Sequence, residues 1–206
     1  MRLVFGERDT PYEVARVVVL PVPYDLSLSF LPGARRGPEA LLLASRELEP
    51  FLLELGVAPE EVGIHAAEPV PWVAGSAEES HRLIREAALA HLRAGKFLVS
   101  LGGDHSIVHP LVQAHREALG DFSILHIDAH ADLYPEWQGS VYSHASPFFR
   151  LLQEGFPLVQ VGLRAMDRDS LRLAREKGVA FFPAHRLHRE GLPLEEILAA
   201  LGKRVY

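Results

Sequence analysis

Apolar residues along this chain occur either in short continuous runs or at helically spaced positions. Continuous runs of about 4–8 apolar residues predict buried strands, and apolar residues spaced three and four apart predict helices. The predicted strands are 14–20, 62–70, 96–101, 121–128, 158–164 and 179–182, and the last residues, KRVY, look like the start of another strand. The predicted helices are 37–55, 76–95, 106–119, 147–154, 167–177 and 193–201.

The order of these elements, with strands and helices alternating, is typical of an α/β protein. Such a chain builds a mostly parallel sheet with helices on both faces, a three-layer αβα arrangement. We expect one domain over residues 1–206. Binding sites in α/β sheets form at the carboxyl ends of the strands. Two polar clusters, GGDHS at 102–106 and DAHAD at 128–132, follow predicted strands and therefore fall at such ends.

Composition narrows the classes of function. The net charge is −6 and both signs are mixed along the chain, which gives no electrostatic case for binding nucleic acid or an anionic membrane. There is no cysteine, so disulfides and thiolate metal sites are excluded. The first residues, MRLVFGERDT, carry charges where a signal peptide needs an apolar core, and the apolar run VVVLPVP is too short to span a bilayer. We expect a cytoplasmic protein.

The run ILHIDAHAD at 124–132 carries the strongest chemical signal. Every second residue of this run from position 126 onwards is polar: His126, Asp128, His130 and Asp132. A strand would send all four side chains to the same face. Two carboxylates on one face are costly to bury without a positive charge between them. The pattern therefore predicts a divalent metal site, which in this chain must be built from histidine and carboxylate. A hydrogen-bonded polar cluster is the alternative.

Two further motifs, each taken alone, are weaker evidence for a functional site. In SLGGDHS the glycines permit a tight turn that delivers His105 to the end of the strand, although Asp104 could simply cap the next helix. In YSHASPFF a loop carries His144 just before a helix. There the alternative is a helix cap made by Ser143 or Ser146, with a histidine that plays no part.

Together, the three motifs resemble those of the ureohydrolase family, which includes arginase and agmatinase. The resemblance implies that two Mn²⁺ ions bind and activate a bridging hydroxide, which attacks a guanidinium carbon so that urea leaves. It also implies roles for individual residues. His105 and Asp132 would bind one metal, His130 would bind the other, and Asp128 would bridge both and so take part in catalysis. His144 matches a loop histidine that contacts substrate or shuttles protons.

The residues after Asp132 bear on the substrate. Leu133 and Tyr134 stand where arginases usually carry polar residues that bind an α-carboxylate, and a tyrosine here looks more like agmatinase. Tyr134 is therefore a candidate substrate-binding residue. Guanidinobutyrase, proclavaminate amidinohydrolase and formimidoylglutamase are the alternatives. The resemblance further implies a small guanidino substrate, a role in polyamine biosynthesis and a homo-oligomer, since the family forms trimers and hexamers.

The family pattern continues with a motif S-x-D-x-D-x-x-D-P, expected just after KRVY, where this sequence ends. By resemblance we therefore expect an arginase-like αβα domain that is incomplete at its C-terminus and holds fewer metal ions tightly. One alternative function is a truncated or degenerate family member that binds metal with little or no catalysis. Another is a mononuclear zinc amidohydrolase related to the deacetylases. The exact substrate and the oligomer size stay open.

Overall fold

The computed structural model describes Gly6, residues 9–49 and residues 51–206, without the side chains of 59 and 60. The chain divides into two compact units, Met1–Leu119 and Gly120–Tyr206. The expectation of one domain over residues 1–206 stays a prediction.

The first unit holds a three-stranded parallel sheet in the order β2-β1-β3. Its strands are β1 (Val17–Val22), β2 (Ile64–Ala66) and β3 (Phe97–Gly102), and its helices are α1 (Gly37–Ala44), α2 (Ala77–Arg93) and α3 (Val108–Leu119). The central strand β1 separates two apolar layers because its side chains alternate between the faces. Val18, Leu20 and Val22 pack with α2 and α3, whereas Val19 packs against Leu42 of α1. This unit therefore has helices on both faces of its sheet.

The second unit repeats the plan with a three-stranded parallel sheet in the order β4-β5-β6. Its strands are β4 (Ile124–Ile127), β5 (Leu158–Leu163) and β6 (Ala180–Pro183), and its helices are α4 (Pro147–Gln153), α5 (Arg168–Glu176), α6 (Ala184–Glu190) and α7 (Leu194–Ala200). On one face of β5, Val159 and Val161 pack with Ile197 of α7. The predicted α/β class with parallel strands and helical layers is confirmed.

The last residues, KRVY, were predicted to begin a strand, and the structure gives them a parallel β-bridge but assigns them no strand. Val205 pairs in parallel with Ser123, just before β4. The Leu125 N–H donates to the Tyr206 carbonyl at 2.9 Å, and the Tyr206 N–H donates to the Ser123 carbonyl at 2.8 Å. The Tyr206 ring stacks on Phe122, with ring centroids 5.9 Å apart, and burial raises the pKa of Tyr206 to about 12.

Helix α2 shows the local signals that its sequence predicts. Ser76 caps it, since the Ser76 Oγ accepts the Glu79 N–H at 3.2 Å. Gly95 follows the helix with a φ of 73°, the left-handed conformation that ends many helices. Across the described part of the chain, no helix is long and apolar enough to cross a membrane.

The predicted helix 37–55 is too long. α1 ends at Ala44, a 3-10 turn covers Ser45–Glu47, and Leu52 then forms an antiparallel bridge with Val57. The Ser45 Oγ donates to the Leu42 carbonyl at 2.8 Å, and such a bond offers the backbone an alternative to the helix. The sequence also has a proline at 50, which disfavours helical conformation in the residue before it.

One other prediction misses the boundaries of an element, and one helix was missed. The strand predicted over 62–70 shrinks to β2, because the 3-10 turn Pro59–Val62 precedes it and the proline at 69 cannot donate to a ladder after it. Helix α6 was not predicted at all. It begins directly after β6, with Pro183 at its N-cap and no side-chain cap, so its start carries no sequence signal.

Candidate active site

The segment Asp128–Asp132 leaves the carboxyl end of β4 in the second unit. The strand itself ends at Ile127, one residue before the predicted end at Asp128, so strand alternation does not continue through the motif. Beyond the strand, the segment stays in contact with β5 and the residues that follow it. The Asp128 N–H donates to the Val161 carbonyl at 3.1 Å, and His130 forms a parallel β-bridge with Ala165. The segment then turns at Asp132, whose φ of 50° lies in the left-handed region that non-glycine residues rarely adopt.

Gly162 of β5 lies beside this segment. The register of β5 shifts between Val161 and Leu163, and Gly162 adopts a φ of 93° at that shift. A Cβ on Gly162 would lie 3.4 Å from the carbonyl oxygen of Asp128. That is an ordinary contact distance, so the cost of a side chain there is backbone strain, and the glycine lets β5 adopt this conformation beside the motif.

Within this unit the predicted carboxylates do lie together. One carboxylate oxygen of Asp128, one of Asp132 and one imidazole nitrogen of His126 all lie within 4.8 Å of one another. His130 lies beside them, with its Nδ1 3.6 Å from Asp128 Oδ1 and its N–H donating to the same oxygen at 2.8 Å. Carboxylate oxygens and imidazole nitrogens are donors that suit Mn²⁺, Fe²⁺ and Zn²⁺. The residues present therefore fit a divalent cation.

Behind the carboxylates lies a polar pair, of which the sequence analysis named His126 but not Gln160. His126 on β4 and Gln160 on β5 face each other across the parallel strands. The Gln160 Nε2 lies 2.9 Å from His126 Nδ1 and donates to the Ala131 carbonyl at 2.8 Å. The His126 ring stacks on Phe148 of α4, with centroids 3.8 Å apart. A glutamine in the middle of the apolar run LVQVGL was the signal available in the sequence.

The loop that carries His144 is held against the end of the metal motif. The Tyr134 N–H donates to the Ala145 carbonyl at 3.1 Å. The Ala145 N–H donates to Ser143 Oγ at 3.1 Å. Ser146 occupies the N-cap position of α4 but makes no capping bond, so the alternative of a cap by Ser146 is wrong. Whether His144 plays a part stays a prediction. His144 itself is half-buried.

Tyr134 lies on the surface of the same region. Its ring packs edge-on against Trp137 with centroids 5.2 Å apart. Burial raises the pKa of Tyr134, and the negative charge of Asp167 with its side-chain hydrogen bond to Tyr134 raises it further. Asp167 also caps α5, accepting the N–H groups of Asp169 and Ser170. Burial favours the neutral acid, but the hydrogen bond from the Ser170 hydroxyl, together with those backbone N–H groups, outweighs it and lowers the pKa of Asp167.

His105 belongs to the first unit, where it follows β3. The Asp104 carboxylate accepts the Ser106 N–H at 2.8 Å, and it also accepts the N–H and hydroxyl of Ser27, each at 2.8 Å. The capping role considered for Asp104 is therefore confirmed. It coexists with a half-buried His105 at the first position of the 3-10 turn His105–Ile107.

Comparison with known proteins identifies the family. The family model described as "Arginase family" matches residues 15–206. The chain belongs to the arginase family. Members of this family are hydrolases that act on C–N bonds, and this chain is a hydrolase of that class.

Individual relatives agree with this assignment. The chain is 89% identical over 206 residues to the N(1)-aminopropylagmatine ureohydrolase of Thermus thermophilus, covering 100% of this chain and 70% of the relative. It is 32% identical to the agmatinase of Bacillus anthracis, covering 98% of this chain and 70% of that one. The solved structure of proclavaminate amidino hydrolase from Streptomyces clavuligerus superposes with a TM-score of 0.86 at 26% identity, covering 98% of this chain and 73% of that one.

Proposed function

We propose that this arginase-family protein hydrolyses the guanidino group of N(1)-aminopropylagmatine and releases urea and a polyamine. The observation that carries this proposal is the 89% identity to an N(1)-aminopropylagmatine ureohydrolase along the whole chain. Agmatine, the substrate expected from the motifs, shares the same guanidino group and lacks only the aminopropyl extension. We therefore propose agmatine as a second, poorer substrate.

We propose His105, Asp128, His130 and Asp132 as the manganese ligands, with Asp128 shared between two ions. The close approach of the Asp128 and Asp132 carboxylates supports this, because a divalent cation offsets the repulsion between them. Manganese, when bound, supplies the Lewis acidity that ionises water near neutral pH. The chain supplies the negative charge that holds the cation, and His130 keeps Asp128 in place through its backbone N–H.

His144 and Tyr134 are proposed to act on the substrate. The hydrogen bond from the Tyr134 N–H to Ala145 ties the His144 loop to the segment that follows Asp132. The two side chains are thereby held in one neighbourhood of the second unit. An imidazole has one nitrogen that can accept a proton and one that can donate it, which suits His144 for proton transfer to the leaving amine. The Tyr134 phenol stays protonated, since its pKa is raised, and its hydroxyl hydrogen-bonds with Asp167. The phenol oxygen can therefore accept a hydrogen bond from the guanidinium of the substrate, which only donates.

Urea release from the full protein loaded with Mn²⁺ tests the proposal. We expect kcat/KM to be higher with N(1)-aminopropylagmatine than with agmatine. Asp128→Asn and Asp132→Asn are expected to abolish turnover because each removes a carboxylate charge from the proposed site. Asp121→Asn is the matched control, since it removes one exposed carboxylate of the same unit and is expected to leave turnover unchanged.

Three results would contradict the proposal. Manganese binding without urea release from either substrate would support the alternative of a non-catalytic metal-binding protein. Activity with Zn²⁺ and none with Mn²⁺ would support the deacetylase-related alternative. Faster turnover of agmatine than of N(1)-aminopropylagmatine would support the proposed reaction but show that the proposed substrate is wrong.

A further inference from the structure

We propose that Gln160 and His126 are positioning residues that orient the Asp128 carboxylate for metal binding, with Gln160 fixing the proton of His126 on Nε2. The inference rests on the proposed manganese site. Both side chains are buried, and they lie directly opposite each other in the register of β4 and β5. The pair thus lies immediately behind the metal motif and is shielded from water.

The orientation of the Gln160 amide follows from its contact with Ala131. The atom 2.8 Å from the Ala131 carbonyl must be the amide nitrogen, because a carbonyl oxygen only accepts hydrogen bonds. Flipping the amide would place the Gln160 oxygen 2.8 Å from the Ala131 oxygen, and neither atom could donate a hydrogen bond to the other. The same nitrogen lies 2.9 Å from His126 Nδ1, so its second hydrogen points at the imidazole. Gln160 is therefore a donor to both partners.

The tautomer of His126 follows in turn. In a neutral imidazole one nitrogen carries the proton and the other accepts. Because Nδ1 accepts from Gln160, the proton lies on Nε2. That nitrogen faces Asp128 Oδ2 at 3.6 Å, which is too long for a hydrogen bond but close enough for the polar N–H to attract the carboxylate. Stacking on Phe148, with the ring planes 24° apart, holds the imidazole in this orientation.

This arrangement excludes His126 as a metal ligand, although its ring lies close to the carboxylates of Asp128 and Asp132. A histidine that binds metal usually donates its other N–H to an acceptor. His126 instead meets a donor at Nδ1 and carries its proton on Nε2, so neither nitrogen has a lone pair to offer. Asp128 is then oriented from two sides, by the His126 ring at Oδ2 and by the His130 N–H at Oδ1.

Gln160 has a second effect on the motif. Its bond to the Ala131 carbonyl holds the backbone between His130 and Asp132. One buried amide therefore fixes both the orienting imidazole and the segment that carries the proposed ligands. Partners of this kind around a metal site typically change metal affinity or activity about 10–100-fold when removed.

Nitrogen-15 NMR of the imidazole rings, recorded without metal at pH 8, tests the tautomer. We expect His126 to show a bare, accepting Nδ1 and a protonated Nε2. After loading with diamagnetic Zn²⁺ the proton is expected to stay on Nε2. A proton on Nδ1 in the metal-free protein, or its transfer to Nδ1 when Zn²⁺ binds, would overturn the inference.

Calorimetric titration with Mn²⁺ tests the consequence for metal binding. Gln160→Met keeps the length of the side chain and removes both hydrogen bonds, so we expect Mn²⁺ affinity to fall about 10–100-fold. The control is Val159→Ala, the preceding residue on β5, which packs on the opposite face of the sheet. It is expected to lower the melting temperature and to leave Mn²⁺ affinity unchanged.

The two experiments separate this inference from the proposed function. Unchanged Mn²⁺ affinity in Gln160→Met, or an equal loss in Val159→Ala, would overturn the positioning role while the metal site stands. If the parent protein binds no Mn²⁺ and His126 still carries its proton on Nε2, the proposed function fails and the tautomer assignment is supported.

Discussion

The backbone of Gly103 lies directly against the carbonyl of Tyr24. A Cβ at Gly103 would lie 2.2 Å from the Tyr24 oxygen, and the Asp104 N–H donates to that same oxygen at 2.8 Å. The segment after β1 and the turn after β3 are therefore in direct backbone contact, immediately before His105. A glycine is required here for close approach.

Replacing Gly103 with alanine is therefore expected to be strongly destabilising. Overpacking typically costs about 1–3 kcal/mol, and here the obstacle is backbone that cannot rotate away, so we expect the upper end. For a chain of this size, about 3 kcal/mol lowers Tm by roughly 6–12 °C. Gly139→Ala is the comparison for backbone strain alone, because Gly139 has a φ of 77° but nothing within 4 Å of its Cβ position, and we expect it to lower Tm by less. A melting temperature of Gly103→Ala equal to that of the parent would show that the contact with Tyr24 carries no cost.

A second prediction concerns pH and His91 on α2. The Tyr12 hydroxyl lies 3.0 Å from His91 Nδ1, and burial lowers the pKa of His91, with the charges of His65 and Lys96 lowering it further. The folded protein thus binds fewer protons than the unfolded chain. The stability that the buried, neutral His91 contributes is fully present above the unfolded histidine pKa of about 6.5. It is lost as the pH falls through the lower pKa that His91 has in the folded protein.

Melting temperatures at pH 8 and pH 5 measure this effect. We expect the loss between the two pH values to be smaller in His91→Gln than in the parent, because glutamine does not titrate. His188→Gln is the control, because His188 is exposed on α6. We expect its melting temperature to fall between pH 8 and pH 5 by as much as that of the parent. If His91→Gln loses as much stability on acidification as the parent does, the pKa of His91 has no part in it.

The parts of the fold predicted correctly from the sequence depend on signals that are local. Ser76 and Gly95 mark the two ends of α2 because a cap and a left-handed glycine act within one turn of the helix. The strands were found because both faces of each parallel sheet are covered, which leaves continuous apolar runs. The end of α1 was missed because Ser45 bonds back to Leu42, a competition that composition does not reveal.

The candidate site was only partly predictable for the same reason. Asp128 and Asp132 lie four residues apart, so the sequence places them in one segment, but the turn that brings their carboxylates within 4.8 Å was not predicted. Gln160 acts on His126 across a separation of 34 residues, and only the register of β4 and β5 brings the two side chains together. The left-handed turn at Asp132 could not be predicted either, because that conformation is uncommon for residues other than glycine. The expected homo-oligomer stays a prediction.

A third prediction concerns the proposed role of Tyr134 in substrate binding. Tyr134→Phe removes the phenol hydroxyl and keeps the ring on Trp137. A lost hydrogen bond of about 0.5–1.5 kcal/mol corresponds to a KM rise between about two- and tenfold, with kcat retained. Tyr142→Phe is the matched control, since its ring lies under the Arg150 guanidinium at 4.7 Å in the same unit. An unchanged KM in Tyr134→Phe, or an equal rise in Tyr142→Phe, would remove Tyr134 from the substrate site.

The fourth prediction compares Asp128 with His144. Asp128→Asn keeps the size of the side chain and an oxygen able to accept the His130 N–H, but it removes the charge proposed to be shared by two cations. His144→Ala removes a side chain proposed to act on substrate alone. Because metal affinity depends on ligand charge, we expect Asp128→Asn to weaken Mn²⁺ binding well beyond His144→Ala in calorimetric titrations. His144→Ala is expected instead to lower kcat, by about 10²–10⁴-fold if it transfers a proton. Mn²⁺ affinity in Asp128→Asn equal to that of the parent would reject the bridging role, and a loss of Mn²⁺ binding in His144→Ala would place that histidine among the ligands.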